Sequence, residues 1–302
     1  MGKSGNIMSR KLKEIVIKNV FAFFALLSLL TLALIVYFLF REGLPIFKLT
    51  SLQDFLFGPF WYPTDEPPAY GIWPLIVGSV IVTFFSSLIA VPFGIFSAIY
   101  ISEIAPRQIK EVLKAVIELL AGLPSVVLGF FGMVILAPWM QETFDIPTGL
   151  NIVNASLMLA VMAIPTISSI SEDALHAVPR DFKEASYALG ATKYETITRV
   201  IVPSALSGIS TAVILGMSRA IGETMVVLMV AGGAAALPRG IFDSVRPMPA
   251  SIAAEMGEAP FQSGHYHALF ATGIVLFVVS LAFNLIADYV SHRFKEEGSG
   301  TL

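Results

Sequence analysis

The sequence contains no cysteine, which excludes disulfides and thiolate metal ligation and says nothing of the redox compartment. Charge is scarce as well. Asp, Glu, Lys and Arg make up 14% of the 302 residues, about half the share usual in soluble domains. No Gly-x-x-x-x-Gly-Lys-Ser/Thr run occurs, so the chain has no P-loop for nucleotide phosphates. His-Glu-x-x-His and Gly-x-Ser-x-Gly are missing too, and with them the signatures of a membrane protease or hydrolase. These absences predict a chain that is not itself an enzyme and holds no cofactor or metal. If ATP drives it, another subunit must hydrolyse the nucleotide. A net charge of −3 gives no sign of nucleic-acid binding.

What fills the chain instead is apolar sequence: 56% of residues are hydrophobic and the mean hydropathy is +0.78. The apolar residues are clustered into runs long enough to cross a bilayer core of roughly 30 Å. They predict an all-α integral membrane protein of one domain, residues 1–302, with six transmembrane helices. The spans fall near 18–40, 71–102, 117–141, 152–171, 205–237 and 267–290. Pro74 and Pro92 mark the second, overlong run as kinked or as ending in the membrane interface. The first run is too long for a cleaved signal peptide and no small-residue cleavage site follows it, so it reads as a retained anchor.

Basic residues fall on one side of these spans. Lys3, Arg10, Lys11, Lys13, Lys18, Arg107, Lys110, Lys114, Arg180, Lys183, Lys193, Arg199, Arg293 and Lys295 share it, and only Arg41, Lys48, Arg239 and Arg246 lie opposite. By the positive-inside rule both termini and the loop at 179–203 are cytoplasmic, in a cell inner (plasma) membrane.

That loop, Pro179–Pro203, is too well punctuated for a plain connection. Asp181 and Glu184 have the spacing of a cap and its reciprocal acceptor. Gly190 suits a left-handed helix stop, Thr192-x-x-Glu195 forms a second capping box, and Pro203 closes the helix it opens. A compact helix–Gly–helix projecting from a membrane domain is a handle for a partner.

Inside the fifth span lie Arg219 and Glu223, whose i, i+4 spacing would put both on one helix face, able to pair. A lone Arg at mid-bilayer costs on the order of 3 kcal/mol, so such charges persist when paired or when lining a polar pathway. Gly222 between them allows close approach of a helix or substrate. Gly122-Leu123-Pro124-Ser125 and Pro165 with Ser168, Ser169 and Ser171 serve either close helix packing or a cavity wall. His265-x-His267 beside Glu255 and Glu258 is a weak metal pattern, and Asn154-Ala-Ser156 is a glycosylation sequon at the mouth of a span. Trp61, Tyr62, Tyr70 and Trp73, with Pro67 and Pro68, have the look of an interfacial aromatic belt.

Glu184-Ala185-Ser186, Gly190 and Val200-Ile201-Val202-Pro203 resemble the "EAA" loop of ABC-importer permeases. Ser186 stands where a second alanine is usual, and Val200 and Val202 stand where isoleucine and leucine are common. Ser218–Met225, Gly122–Val127, Pro74–Ser79, Ala90–Pro106 and Ala163–Asp173 resemble the PstC-type phosphate permease family, so the likeness runs from about residue 20 to 290. The resemblance implies a type I ABC-importer permease fold with a cytoplasmic coupling helix. It implies coupling to the ATPase through Glu184, Ala185, Ser186, Leu189 and Gly190, and a translocation role for Arg219 and Glu223, with Ser125, Ser168 and Thr224 as possible lining. The implied partners are a PstA-like permease, a PstB-like ATPase dimer carrying ATP and Mg, a PstS-like phosphate-binding protein, phosphate and the lipid bilayer. A permease for another oxyanion, molybdate or sulfate, and a non-transporting scaffold or sensor remain as alternatives.

Overall fold

The computed structural model describes the backbone of residues 4–299 and the side chains of residues 14–286, 288 and 289. Of the basic residues behind the orientation argument, Lys3 and the side chains of Arg10, Lys11, Lys13, Arg293 and Lys295 lie outside what it describes. Helix α1 (Ser4–Gly43) carries the first span. Its apolar residues from Ile15 to Ile35 are exposed, as lipid-facing side chains would be. A short α2 (Leu52–Phe57) and a two-stranded hairpin, β1 (Trp61–Tyr62) against β2 (Ala69–Tyr70), lead to α3 (Trp73–Ile99), which continues through a π turn to Ile104. Pro74 sits in the first turn of α3, where a missing N–H removes no hydrogen bond.

The third apolar run divides where a single span is predicted. Helix α4 (Arg107–Ala121) ends at Gly122, and α5 (Ser125–Phe131), a π turn and α6 (Ala137–Phe144) follow as a separate span of 20 residues, Ser125–Phe144. Two physical causes move the start from 117 to 125. Pro124 biases Leu123 away from helical geometry, and α4 carries Arg107, Lys110, Glu111, Lys114 and Glu118, too many charges for a membrane core.

Helix α7 (Ile152–His176) is the fourth span, capped where Asn151 Oδ1 accepts the Asn154 N–H at 3.0 Å. Asn154 is fully buried and its amide donates to the carbonyls of Gly132 and Gly149, so the sequon there is a core bracket. Helices α8 (Arg180–Ala188), α9 (Lys193–Thr196) and α10 (Val202–Ser204) form the polar block, and α11 (Leu206–Ile221) follows after a 68° bend. The fifth run is likewise not one span over 205–237. Helix α11 stops at Gly222, α12 (Met225–Val230) is a separate short piece, and Gly232 and Gly233 then turn the chain at φ +89° and +74°. At 1.5 Å per residue the 16 residues of α11 cover about 24 Å, short of a full bilayer core. Helices α13 (Met248–Glu255) and α14 (Gly264–Ser299) complete the chain. Among the described residues five helices are long and apolar enough to cross a membrane, or six if α9–α10 and α11 count as one bent span.

Helices α3, α7 and α11 pack together at the centre. In lipid no water is released between helices, so close approach of small residues carries the packing. Ile167 of α7 is the meeting point: a Cβ on Gly94 of α3 or on Gly216 of α11 would fall within 2.7 and 2.4 Å of it. Ala174 meets Gly208 of α11 in the same way, at 2.4 Å. These contacts set α7 and α11 antiparallel, with Thr166 beside Arg219 and Ala174 beside Gly208.

The end opposite the polar block is tied by one carboxylate. Glu255 accepts from Trp61 Nε1 at 3.1 and 3.0 Å, Ser251 Oγ at 3.0 Å, Arg246 Nη1 at 2.5 Å and His265 Nε2 at 2.8 Å. Trp61, placed in an aromatic belt by its neighbours in sequence, is therefore an anchor with 2% exposure. His267 turns away to the Glu42 carbonyl, 2.7 Å, so the two histidines do not converge on a common ligand point.

Candidate functional site: the polar block and the open face of α7 and α11

The polar block is built by its caps. Helix α8 starts at Pro179 with no side-chain cap, contrary to the predicted Asp181–Glu184 box. Asp181 lies within the first turn instead, where its charge favours the positive end of the helix dipole. The stop is as predicted: Gly190 takes φ +84°. Its N–H donates to Tyr187 O at 2.9 Å and the Ala191 N–H to Ser186 O at 3.2 Å, the paired bonds of a Schellman motif. The Thr192–Glu195 capping box is present with both reciprocal bonds. The Thr192 N–H holds the Glu195 carboxyl below its ordinary range. Pro203 does not close the second helix. The wide turn at Ile197–Ile201 lets α10 run on through it, and the bend comes at Ala205.

Of the five residues implied in coupling, Ser186 is buried and bonded to Thr196 Oγ1 at 2.9 Å, pinning α8 to α9. Glu184, Ala185, Leu189 and Gly190 are exposed. Leu189 at 90% and Tyr194 at 76% exposure, with Phe182 and Tyr187, give the block an apolar surface with no intramolecular cover. Three ion pairs, none marked by sequence motifs, fasten the block and α4 to the spans. Lys183 Nζ meets Glu103 at the end of the α3 π turn at 2.7 Å. Lys110 and Lys114 of α4 meet the buried Glu172 of α7 at 3.1 and 2.8 Å. The bond to Glu172 holds the Lys114 ammonium above the usual lysine range.

Arg219 and Glu223 do not pair. Helix α11 ends between them, and no ion pair within 4.0 Å joins them among the described residues. Arg219 is exposed, and among the described residues its Nη1 reaches Thr166 Oγ1 in a long contact of 3.5 Å. Glu223 turns to the next helix, where its Oε1 accepts from the backbone N–H groups of Met225 and Val226 at 3.1 and 3.3 Å. The i, i+4 argument fails because Gly222 and Thr224 interrupt the helix that it assumes. Thr224 is half-buried beside Glu223, its hydroxyl on the Gly222 carbonyl at 3.3 Å. Ser125 is half-buried at the start of α5. Ser168 is fully buried, its Oγ without a hydrogen-bond partner. The structure thus brings Arg219 to Thr166, keeps Glu223 and Thr224 one turn beyond, and sets Ser125 and Ser168 apart. Thr166 escapes sequence reasoning because it lies 53 residues from Arg219 in an ordinary apolar run.

Residues 90–296 match the family described as binding-protein-dependent transport system inner membrane component. The chain belongs to this family. A probable ABC transporter permease protein of Bacillus subtilis (strain 168), YqgH, is 41% identical over 289 residues, 95% of this chain and 94% of that protein. The phosphate transport system permease protein PstC of Mesorhizobium japonicum is 34% identical over 259 residues, 80% and 78% of the two chains. A crystal structure of a bacterial ABC transporter involved in the import of the acidic polysaccharide alginate superposes with TM-score 0.58 at 17% identity, covering 94% of this chain and 99% of the other. The fold is that of type I ABC-importer permeases, and an inner-membrane component of such a transporter has the five or six apolar helices described above.

Proposed function

We propose that this chain is the permease subunit of an ATP-driven importer for inorganic phosphate, forming the pathway with a second, PstA-like permease. The observation that carries this reading is Arg219: a guanidinium at the membrane end of α11, exposed on an open face, with a single long contact. A cation left unneutralised within a membrane segment is expensive unless something polar visits it, and an oxyanion is what a guanidinium recognises best. The relatives named as phosphate permeases make phosphate the preferred oxyanion over sulfate or molybdate.

The block at 179–203 is the coupling element in this reading, with Leu189 and Tyr194 offered to a PstB-like ATPase dimer that binds and hydrolyses ATP. A PstS-like binding protein delivers phosphate to the opposite end, and the block and both termini lie in the cytoplasm, a reading supported by the charge asymmetry of the loops. ATPase closure moves the block, and α7 and α11 follow.

The test is ATP-driven phosphate uptake by the complete reconstituted complex carrying Arg219→Gln. Uptake falls at least tenfold while the ATPase still co-purifies. Wild-type uptake with intact assembly overturns the pathway role. A scaffold or sensor predicts no substrate-dependent flux even in the unmodified complex.

A further inference from the structure

Where α11 stops at Gly222 and α12 starts at Met225, the structure encloses a cavity of about 10 Å³, the room of a single water molecule. Its wall is apolar at Leu159, Val227 and Pro249 and polar at three side chains, Ser79, Thr83 and Glu223. Ser79 and Thr83 stand at i, i+4 on α3, one turn apart on the same face. The cavity therefore joins α3 to the break between two helices.

The three side chains differ in what they leave open. The Ser79 hydroxyl donates to Leu75 O at 3.0 Å and accepts the Met248 N–H at 2.8 Å, which leaves it one lone pair. Glu223 spends Oε1 on the N–H groups of Met225 and Val226, and Oε2 takes no part in either bond. Thr83 is 7% exposed, yet its hydroxyl makes no hydrogen bond among the described residues. Ser79, Ser86 and Ser87 on the same helix return theirs to backbone carbonyls. A buried hydroxyl without a partner is costly, and ordered water is one of the means by which a broken membrane helix is completed. What stands open is one donor, the Thr83 O–H, and two acceptors, Glu223 Oε2 and Ser79 Oγ. A water molecule offers the complement, accepting one hydrogen bond and donating two.

We propose that this cavity is a binding site for one ordered water, through which Thr83 of α3 fixes the Glu223 carboxylate at the break between α11 and α12. The α12 amides then hold one carboxylate oxygen and α3 holds the other. A carboxylate held at both oxygens keeps its plane, whereas one held at Oε1 alone swings about that anchor. The inference stands on this geometry and does not depend on which solute the chain carries.

Thr83→Val removes the hydroxyl at nearly unchanged shape, and Thr83→Ser keeps it. Electron cryomicroscopy of the complete complex in lipid nanodiscs, resolved well enough to show ordered water, should place one peak within hydrogen-bond distance of Thr83 Oγ1, Glu223 Oε2 and Ser79 Oγ. That peak is lost in Thr83→Val and kept in Thr83→Ser. Infrared difference spectra against Glu223→Gln isolate the Glu223 carboxylate band, which shifts in Thr83→Val and stays in place in Thr83→Ser. Three results would each overturn the inference: ordered water elsewhere in the map but none here, a peak that persists in Thr83→Val, or a carboxylate band that Thr83→Val leaves unmoved.

Discussion

Gly190 shows how a single residue shapes the handle. At φ +84° it stands in backbone space that L side chains rarely enter, yet a Cβ added there would meet nothing within 4 Å. The penalty of Gly190→Ala is therefore torsional alone, about 1 kcal/mol, with no steric contribution. The expected outcome is a correctly assembled permease whose 180–204 backbone exchanges amide protons roughly fivefold faster than the unmodified chain. Unchanged exchange would show that the Schellman bonds of Gly190 and Ala191 do not hold the turn. Ser186 works beside it. Its buried hydroxyl bond to Thr196 makes serine, at a position where the family usually has alanine, the rivet between the two helices of the block.

At the scale of elements, the second helix of the block depends on its capping box. Thr192→Val removes the side-chain bonds to Glu195 and costs about 1 kcal/mol of helix stability. The same box has a pH dependence of definite sign. The Glu195 carboxyl is held below its ordinary value by the Thr192 N–H, so its contribution is present above the unfolded carboxylate range, near 4.3. It is lost as pH falls through the lowered folded value. Amide protection of residues 193–204, measured against the intrinsic exchange rate at each pH, should thus fall on acidification in the unmodified chain. In Glu195→Gln, which has no carboxylate for the Thr192 N–H to hold, protection should already be low at neutral pH and change little. This element was legible in the sequence, as was the Gly190 stop, because capping residues act on backbone groups a few positions away. The breaks at Gly122–Pro124 and at Gly222–Thr224 were not legible as breaks. An uncharged run tells how apolar a segment is, whereas a helix end depends on where each N–H finds its carbonyl. The same limit hides how the block joins the helix that carries Arg219. The structure puts a 68° bend between them, so the block and α11 do not form one straight rod.

For the molecule as a whole, the two ends are fastened by different chemistry, and the division has consequences that can be measured. At the block end, Glu103–Lys183 and Glu172 with Lys110 and Lys114 tie α8 and α4 to the spans through lysines. Those are flexible point charges that tolerate a change of angle. At the opposite end, Glu255 joins β1, the loop before α13 and the start of α14, and one of its partners, Trp61, lies 194 residues away. No local pattern announces such a node, since its members share nothing in sequence but distance. Arg246 also donates to the Gly233 carbonyl at 2.7 Å, so the node reaches the turn that follows α12 and, through α12, the amides that hold Glu223. Glu255→Gln leaves Arg246 and His265 without their carboxylate. Breaking a fully buried pair costs about 3–5 kcal/mol. The Arg246 side chain keeps 30% exposure, which brings the expected loss nearer 2 kcal/mol. The purified protein should therefore lose several degrees of thermal stability. Amide protection of 231–247 should drop while that of 180–204 stays unchanged, because no described bond of the node reaches the block. Equal loss of protection at both ends would mean that the molecule is one rigid body. The bend at Ala205 would then not separate the block from the rest of the molecule.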